Sequence, residues 1–291
     1  IESIFELQYS SGEQENSAVN HLYGYTTGSH LEVSQDALAV CYGGWGNAKY
    51  DSRMWVGAQN LVTTGSSSSS TALSGYYCVK WQRPEVFWTG QQTSREIKNV
   101  EISTNKWCNW IIYRMTDVML MKAEALACIG GAANNTLAKN IVNAIHRRSF
   151  CNYNESKPVS PDLTSGSTNG NATNNSDIVV MVLNERQIEL LGEGKRWFDL
   201  VRYAERNSDS ASEAADEREA TEEKHVGNGQ KGMIKMVDTF LRNAYSNYYT
   251  TLKNRFKNRY GLYSPIYYMD VKASDGKLHQ NPVWNKSKYD Q

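Results

Sequence analysis

The stretch from Asn184 to Arg202 constrains this chain more than any other. Glu185, Glu189 and Glu193 recur at every fourth residue, so on a helix they stand on one face. Arg186, Lys195, Arg196 and Arg202 are interleaved with them, and Asp199 lies three residues from both Arg196 and Arg202. At these spacings opposite charges meet as i,i+3 and i,i+4 pairs, and the run reads as an ion-pair lattice. A carboxylate held by a cation has its pKa lowered, the reverse of what a general acid near neutral pH requires. A carboxylate-based hydrolase using Glu185 or Glu189 with Asp199 is therefore the weaker reading, and no catalytic residue is expected.

Around that run the chain divides by texture. Residues 1–108 are rich in Gly, Ser and aromatics and have little helical periodicity; residues 109–291 are mainly helical. In the first part Ile4, Phe5 and Leu7 mark a short strand, and Tyr76–Trp81 another. Gly43-Gly44-Trp45-Gly46 makes a tight loop, and Gly65 with Ser66 to Ser70 a flexible one. In the second, a helix is expected from Trp110, with Ile111, Met115, Val118, Leu120, Met121 and Leu126 as its apolar face and Gly130-Gly131 as its stop. A second helix follows Thr136, and a third runs from Ser176 or Asp177 to about Leu191. Gly192 and Gly194 break it before a further turn or two over Arg196–Tyr203, and Met233–Ala244 supplies one more amphipathic helix. Trp107, Trp110 and Trp197 read as core, Cys128 as a small buried hydrophobe, and His146, beside Arg147 and Arg148, as a solvated helix end.

Charge excludes more than it proposes. Lys and Arg number 31 and so do Asp and Glu, so a nucleic-acid coat and a disordered acidic tail are both excluded as the main theme. Residues 205–224 carry eight acids and three bases, and residues 242–260 five bases and no acid, so two local charges of opposite sign offset one another. No apolar run is long enough to span a bilayer. The five cysteines lack Cys-x-x-Cys spacing and the five histidines are scattered, so neither a metal nor a cofactor is expected. Gly227-x-Gly229-x-x-Gly232 has the letters of a dinucleotide fingerprint but follows no buried strand. Ser103-x-x-Lys106 has no Lys-Thr-Gly partner. With 18 Tyr, 8 Trp and 6 Phe, the chain is instead rich in rings that suit half-wet surfaces as well as cores.

Two dense stretches, Tyr113–Ala125 and Asn184–Arg202, together resemble the C-terminal half of SusD/RagB-type proteins. Other segments follow the family's order. Glu2–Glu6 is similar to the entering strand, Gly44-Trp45-Gly46 with Asp51-x-Arg53 to the Gly-Trp-Gly and Asp-Pro-Arg elements, and Pro265-Ile266 with Gln280-Asn281-Pro282 to the closing segment. Ser52 stands where the family usually has Pro, and the acidic region at about 205–232 reads as an insertion. The resemblance implies a mainly α, SusD-like fold with long loops and a few short strands. The family's helical-repeat (TPR-like) N-terminal half is not in this chain, so a longer mature protein with an upstream lipid anchor is expected.

The resemblance further implies a lipoprotein of the outer membrane's extracellular face in Bacteroidetes. Such a protein captures a glycan for a SusC-like TonB-dependent transporter; some members are expected to hold peptides. Sugar faces lie on Trp or Tyr rings while amides and carboxylates satisfy the hydroxyls. The candidates are Tyr42, Trp45, Asn47, Tyr50 and Trp55, followed by Trp81 and Trp88. Arg114, Asp117, Glu124, Glu185, Arg186, Glu189, Arg196 and Asp199 form a structural signature expected to lock helix against helix without touching ligand.

Overall fold

A computed structural model describes residues 2–10, 12, 14–23, 32–33, 53, 76–78, 80–82, 85–89, 96–101, 108–149, 153–154, 157–158, 176–207, 246–248, 250–251, 263–281 and 284. Helices dominate, with a few short strands in antiparallel pairs. The chain forms two compact units, Ile1–Arg196 and Trp197–Gln291.

In the first unit, β1 (Ser3–Leu7) is followed by α1 (Ser17–Leu22) and by the strand pair β2 (Glu32–Val33) and β3 (Tyr76–Tyr77). A 3-10 turn over Lys80–Gln82 follows, so the expected strand at 76–81 covers only its first two residues. The hairpin of β4 (Glu85–Thr89) and β5 (Glu96–Glu101) comes next. Then β6 (Trp110–Arg114) pairs antiparallel with β1, placing Ser3 opposite Arg114 and Leu7 opposite Trp110. Trp110–Arg114 is thus a strand and not the first turn of a helix. Its run of Trp, Ile, Ile and Tyr favours a pleated surface, and pairing with β1 settles the choice.

Pairing ends where α2 (Met115–Ile129) begins, and the Met115 N–H donates to the Glu2 carbonyl at 2.8 Å. Asp117 in the first turn suits the positive end of the helix. Gly130, at φ 74°, closes α2 by donating its N–H to Leu126 at 3.0 Å. α3 (Ala132–Ser149) begins four residues before Thr136, and its last turn carries Arg147 and Arg148, cations at a negative helix end. After β7 (Tyr153–Asn154) and β8 (Lys157–Pro158), α4 (Ser176–Glu189) runs as expected but stops short of Leu191.

Two apolar cores hold the first unit. One joins α2, α3 and α4 through Leu120, Ala123, Ala138, Val142, Ile145, Met181 and Val182. The expected apolar face of α2 is therefore rotated. Met115, Val118 and Met121 are exposed, whereas Thr116, Asp117, Leu120, Ala123, Glu124 and Ala127 face inward. Small alanines let the helices approach closely, Asp117 pairs with Arg186 of α4, and Thr116 accepts from Arg148 of α3. Cys128 is exposed, on the side away from this core. The second core gathers Val19, Tyr23, Val33, Cys78, Trp81 and Ile188, with Trp110 packed against it.

In the second unit, α5 is the helix Arg196–Asn207, whose first residue belongs to the first unit. A 3-10 turn at Ser246–Tyr248 and the six-residue α6 (Tyr268–Ala273) follow. The Met233–Ala244 helix, the Gly43–Gly46 and Ser66–Ser70 loops, the Ser103–Lys106 pair, the Gly227–Gly232 run and Trp107 lie outside the described residues.

Candidate functional site

Arg114 ends β6 with its side chain directed at the end of α4, and all five of its N–H groups are engaged. Nε donates to both Glu193 oxygens at 3.0 and 3.1 Å, and Nη2 to Glu193 Oε1 and the Glu189 carbonyl, both at 2.8 Å. Nη1 donates to Glu189 Oε1 at 2.7 Å and Glu2 Oε1 at 3.0 Å. Further cations arrive from elsewhere in the chain. Arg53 Nη1 bridges Glu185 at 2.6 Å and Glu189 at 3.0 Å. Arg148 reaches Glu189 at 2.5 Å and Glu2 at 3.0 Å from the last turn of α3. Lys80 pairs with Glu193 and donates to the Glu189 carbonyl at 2.7 Å. Glu2, Glu185, Glu189 and Glu193 thus face Arg53, Lys80, Arg114 and Arg148, four charges against four.

A second knot ties α2 to α4. Arg186 Nη1 donates to Asp117 Oδ1 at 2.9 Å, both side chains only 2% exposed. Lys195 lies 3.4 Å from the other Asp117 oxygen and donates to the Ile112 carbonyl at 2.6 Å. Arg196 Nη1 donates to the Leu183 carbonyl at 2.9 Å. Glu124 is buried on α2, and Asp199 holds Arg202 at 2.7 Å.

The sequence lattice is corrected in its partners. Glu185, Glu189 and Glu193 take their cations from β6, α3, Arg53 and Lys80, residues 41 to 136 positions away, instead of from their own helix. Asp199–Arg202 keeps the local spacing. Arg114 caps a strand instead of projecting from a helix, and Glu193 sits in the turn after α4. His146 is buried, not solvated, with Nδ1 3.2 Å from Glu185 Oε2. Arg148 and Lys80 carried no sequence signal, because nothing in local spacing links them to α4. Arg53 stood in the Asp-x-Arg motif, but its partners were not legible.

Electrostatics follow from this packing. Burial alone would raise the Glu189 carboxyl, but the Arg114 and Arg53 guanidiniums override it and hold the pKa at about 2. Glu185 is also lowered: burial opposes its charge, and Arg53 and His146 outweigh burial. Burial likewise works against the Arg114 charge, and Glu193 and Glu189 raise its pKa above the usual arginine value. With their pKa values lowered, neither Glu185 nor Glu189 is poised to donate a proton near neutrality. Burial raises the Cys78 thiol, which suppresses the thiolate a nucleophile would need. Among the described residues no group of three or more His, Cys, Asp or Glu is placed to hold a metal ion.

Beside the cluster, Trp81 is in the core and not on a ligand face. It is 4% exposed, its ring stacks on Trp110 at 4.6 Å, and its Nε1–H donates to the Gly192 carbonyl at 2.8 Å. Trp88 lies in β4, opposite Ile97 of β5. Tyr42, Trp45, Asn47, Tyr50 and Trp55 lie outside the described residues. Gly192, at φ +76°, carries the chain past this aromatic cluster; a Cβ there would lie 2.6 Å from Cys78 Sγ.

A folded frame of this kind, with a charge cluster tying a strand–helix corner to the end of α4, can be compared with known proteins. The SusD family model matches residues 37–284. The chain belongs to the SusD family. A SusD-like protein of Formosa agariphila is 36% identical to this SusD-family chain over 94 residues, which are 32% of the chain and 17% of that protein. A SusD homologue of Bacteroides thetaiotaomicron aligns with 98% of the chain and 47% of its own length, at 18% identity and a TM-score of 0.54. A surface glycan-binding protein A of the same organism aligns with 97% of the chain and 52% of its own length, at 17% identity and a TM-score of 0.52. A SusD superfamily protein of Bacteroides vulgatus matches over 98% and 47%, at 20% identity and a TM-score of 0.51. The SusD-family chain spans about half the length of these solved relatives. At such identities the likeness is one of fold. Among the described residues no helix is long and apolar enough to cross a membrane.

Proposed function

We propose that this chain is part of a cell-surface protein that captures a polysaccharide or oligosaccharide and delivers it to a SusC-like TonB-dependent transporter. On this reading a lipid anchor holds the protein at the extracellular face of the outer membrane. The family match over residues 37–284 carries the proposal, and the likeness in fold to a surface glycan-binding protein supports it. The charge cluster fits capture in place of catalysis: Glu185 and Glu189 are engaged by guanidiniums and hold the frame.

The ligand face is proposed on Tyr42, Trp45, Asn47, Tyr50 and Trp55, a glycine-flanked aromatic run, with Trp88 as the next candidate. Rings present flat apolar faces to the C–H side of a sugar, while Asn47 supplies an amide to hydroxyls. Calorimetry of the protein against soluble neutral glycans and against peptide mixtures tests the proposal. Heat from a glycan supports it; heat from peptides alone overturns it in favour of a peptide-binding family member.

A further inference from the structure

The closing segment, described over residues 263–281 and at Trp284, holds large apolar side chains in water and is tied by its own hydrogen bonds. Gln280 clamps the base: its Nε2 donates to the Ile266 carbonyl at 2.7 Å and its Oε1 accepts from the Ile266 N–H at 2.9 Å. Trp284 Nε1 and Asn281 Nδ2 both donate to the Tyr263 carbonyl, at 2.9 and 3.3 Å. Ser274 closes the far turn, its hydroxyl accepting from the Leu278 N–H at 2.9 Å and donating to the Val271 carbonyl at 2.7 Å. A self-tied surface loop of this kind is a frequent carrier of function.

On this frame α6 has no buried residue. Tyr263 is 44%, Tyr267 61% and Tyr268 41% exposed, and the rings of Tyr267 and Tyr268 meet edge to face at 5.1 Å. Asp270 and Asp275 are matched by Lys272 and Lys277, so the loop carries no net charge to select an ionic ligand. Three tyrosines set by a fixed backbone lose little conformational freedom on contact, and each offers a ring face with a hydroxyl at its rim.

We infer that Tyr263, Tyr267 and Tyr268 form an additional platform for a neutral carbohydrate, separate in sequence from the 42–55 run. The inference rests on the glycan-capture reading. Its test is retardation of the protein in native gels containing one neutral polysaccharide each: a β-glucan, an α-glucan, a mannan and a xylan. On a polysaccharide that retards the wild type, the double variant Tyr267→Ala/Tyr268→Ala is expected to bind about tenfold more weakly. Tyr267→Phe, which keeps the ring, and Tyr248→Ala, exposed outside the loop, are expected to bind as wild type does. Wild-type retardation that the double variant leaves unchanged overturns the platform and leaves glycan capture standing. A wild type retarded by none of the four overturns the platform together with the capture reading for neutral glycans.

Discussion

Arg114 engages five N–H groups at a position where the chain turns from strand into helix, and no other residue type could do the same. Arg114→Met leaves Glu189 and Glu193 buried with fewer cations, and about 3–5 kcal/mol of stability should be lost in a urea titration. Arg114→Lys keeps the charge but not the fork, and should recover only part of that loss. At Gly192 two penalties add: a left-handed φ of +76° and a Cβ 2.6 Å from Cys78 Sγ. Gly192→Ala is expected to cost about 2–4 kcal/mol, read as a lowered urea midpoint, and Gly192→Ala with Cys78→Ala should recover the steric share. The residue types of this cluster were legible in the sequence because charges so dense among apolar positions must be paired. Their partners were not, because Lys80 lies 113 positions from Glu193 and Arg148 41 from Glu189, distances that only the folded chain spans.

Among the elements, α2 separates what periodicity can read from what it cannot. Its helical nature and its glycine stop followed from sequence, but its inward face did not, since Asp117, Glu124 and Thr116 are buried where an apolar stripe was sought. A polar residue can face inward when a partner waits on a neighbouring helix, and the partner of Asp117, Arg186 of α4, is 69 positions away. The start of α2 was misplaced for the same reason: pairing with β1 claims Trp110–Arg114. Leu120→Ala, in the core of α2, α3 and α4, is expected to destabilise by about 3 kcal/mol, whereas Met115→Ala on the exposed face should stay within about 0.5 kcal/mol. Thermal melts of the two variants check the assignment, and equal losses would refute it.

At the scale of the whole molecule, the cluster makes stability depend on acid. Glu185 and Glu189 have folded pKa values below the ordinary 4.5, Glu189 at about 2. The unfolded chain therefore binds protons first: stabilisation is full above pH 4.5 and is lost as pH falls toward 2. Melting temperature should drop through that window, and Glu189→Gln should lower the neutral-pH value while flattening the acid slope. The same cluster also divides the account's two possibilities for these carboxylates, frame or catalytic pair. The most direct measurement compares the wild type and Glu189→Gln on a glycan that the wild type binds, at a temperature where both are folded, recording affinity and release of reducing ends. The expected result is an affinity within about twofold for the two proteins, a lower Tm for the variant and no released sugar from either. Release of reducing ends by the wild type that Glu189→Gln abolishes would contradict the account.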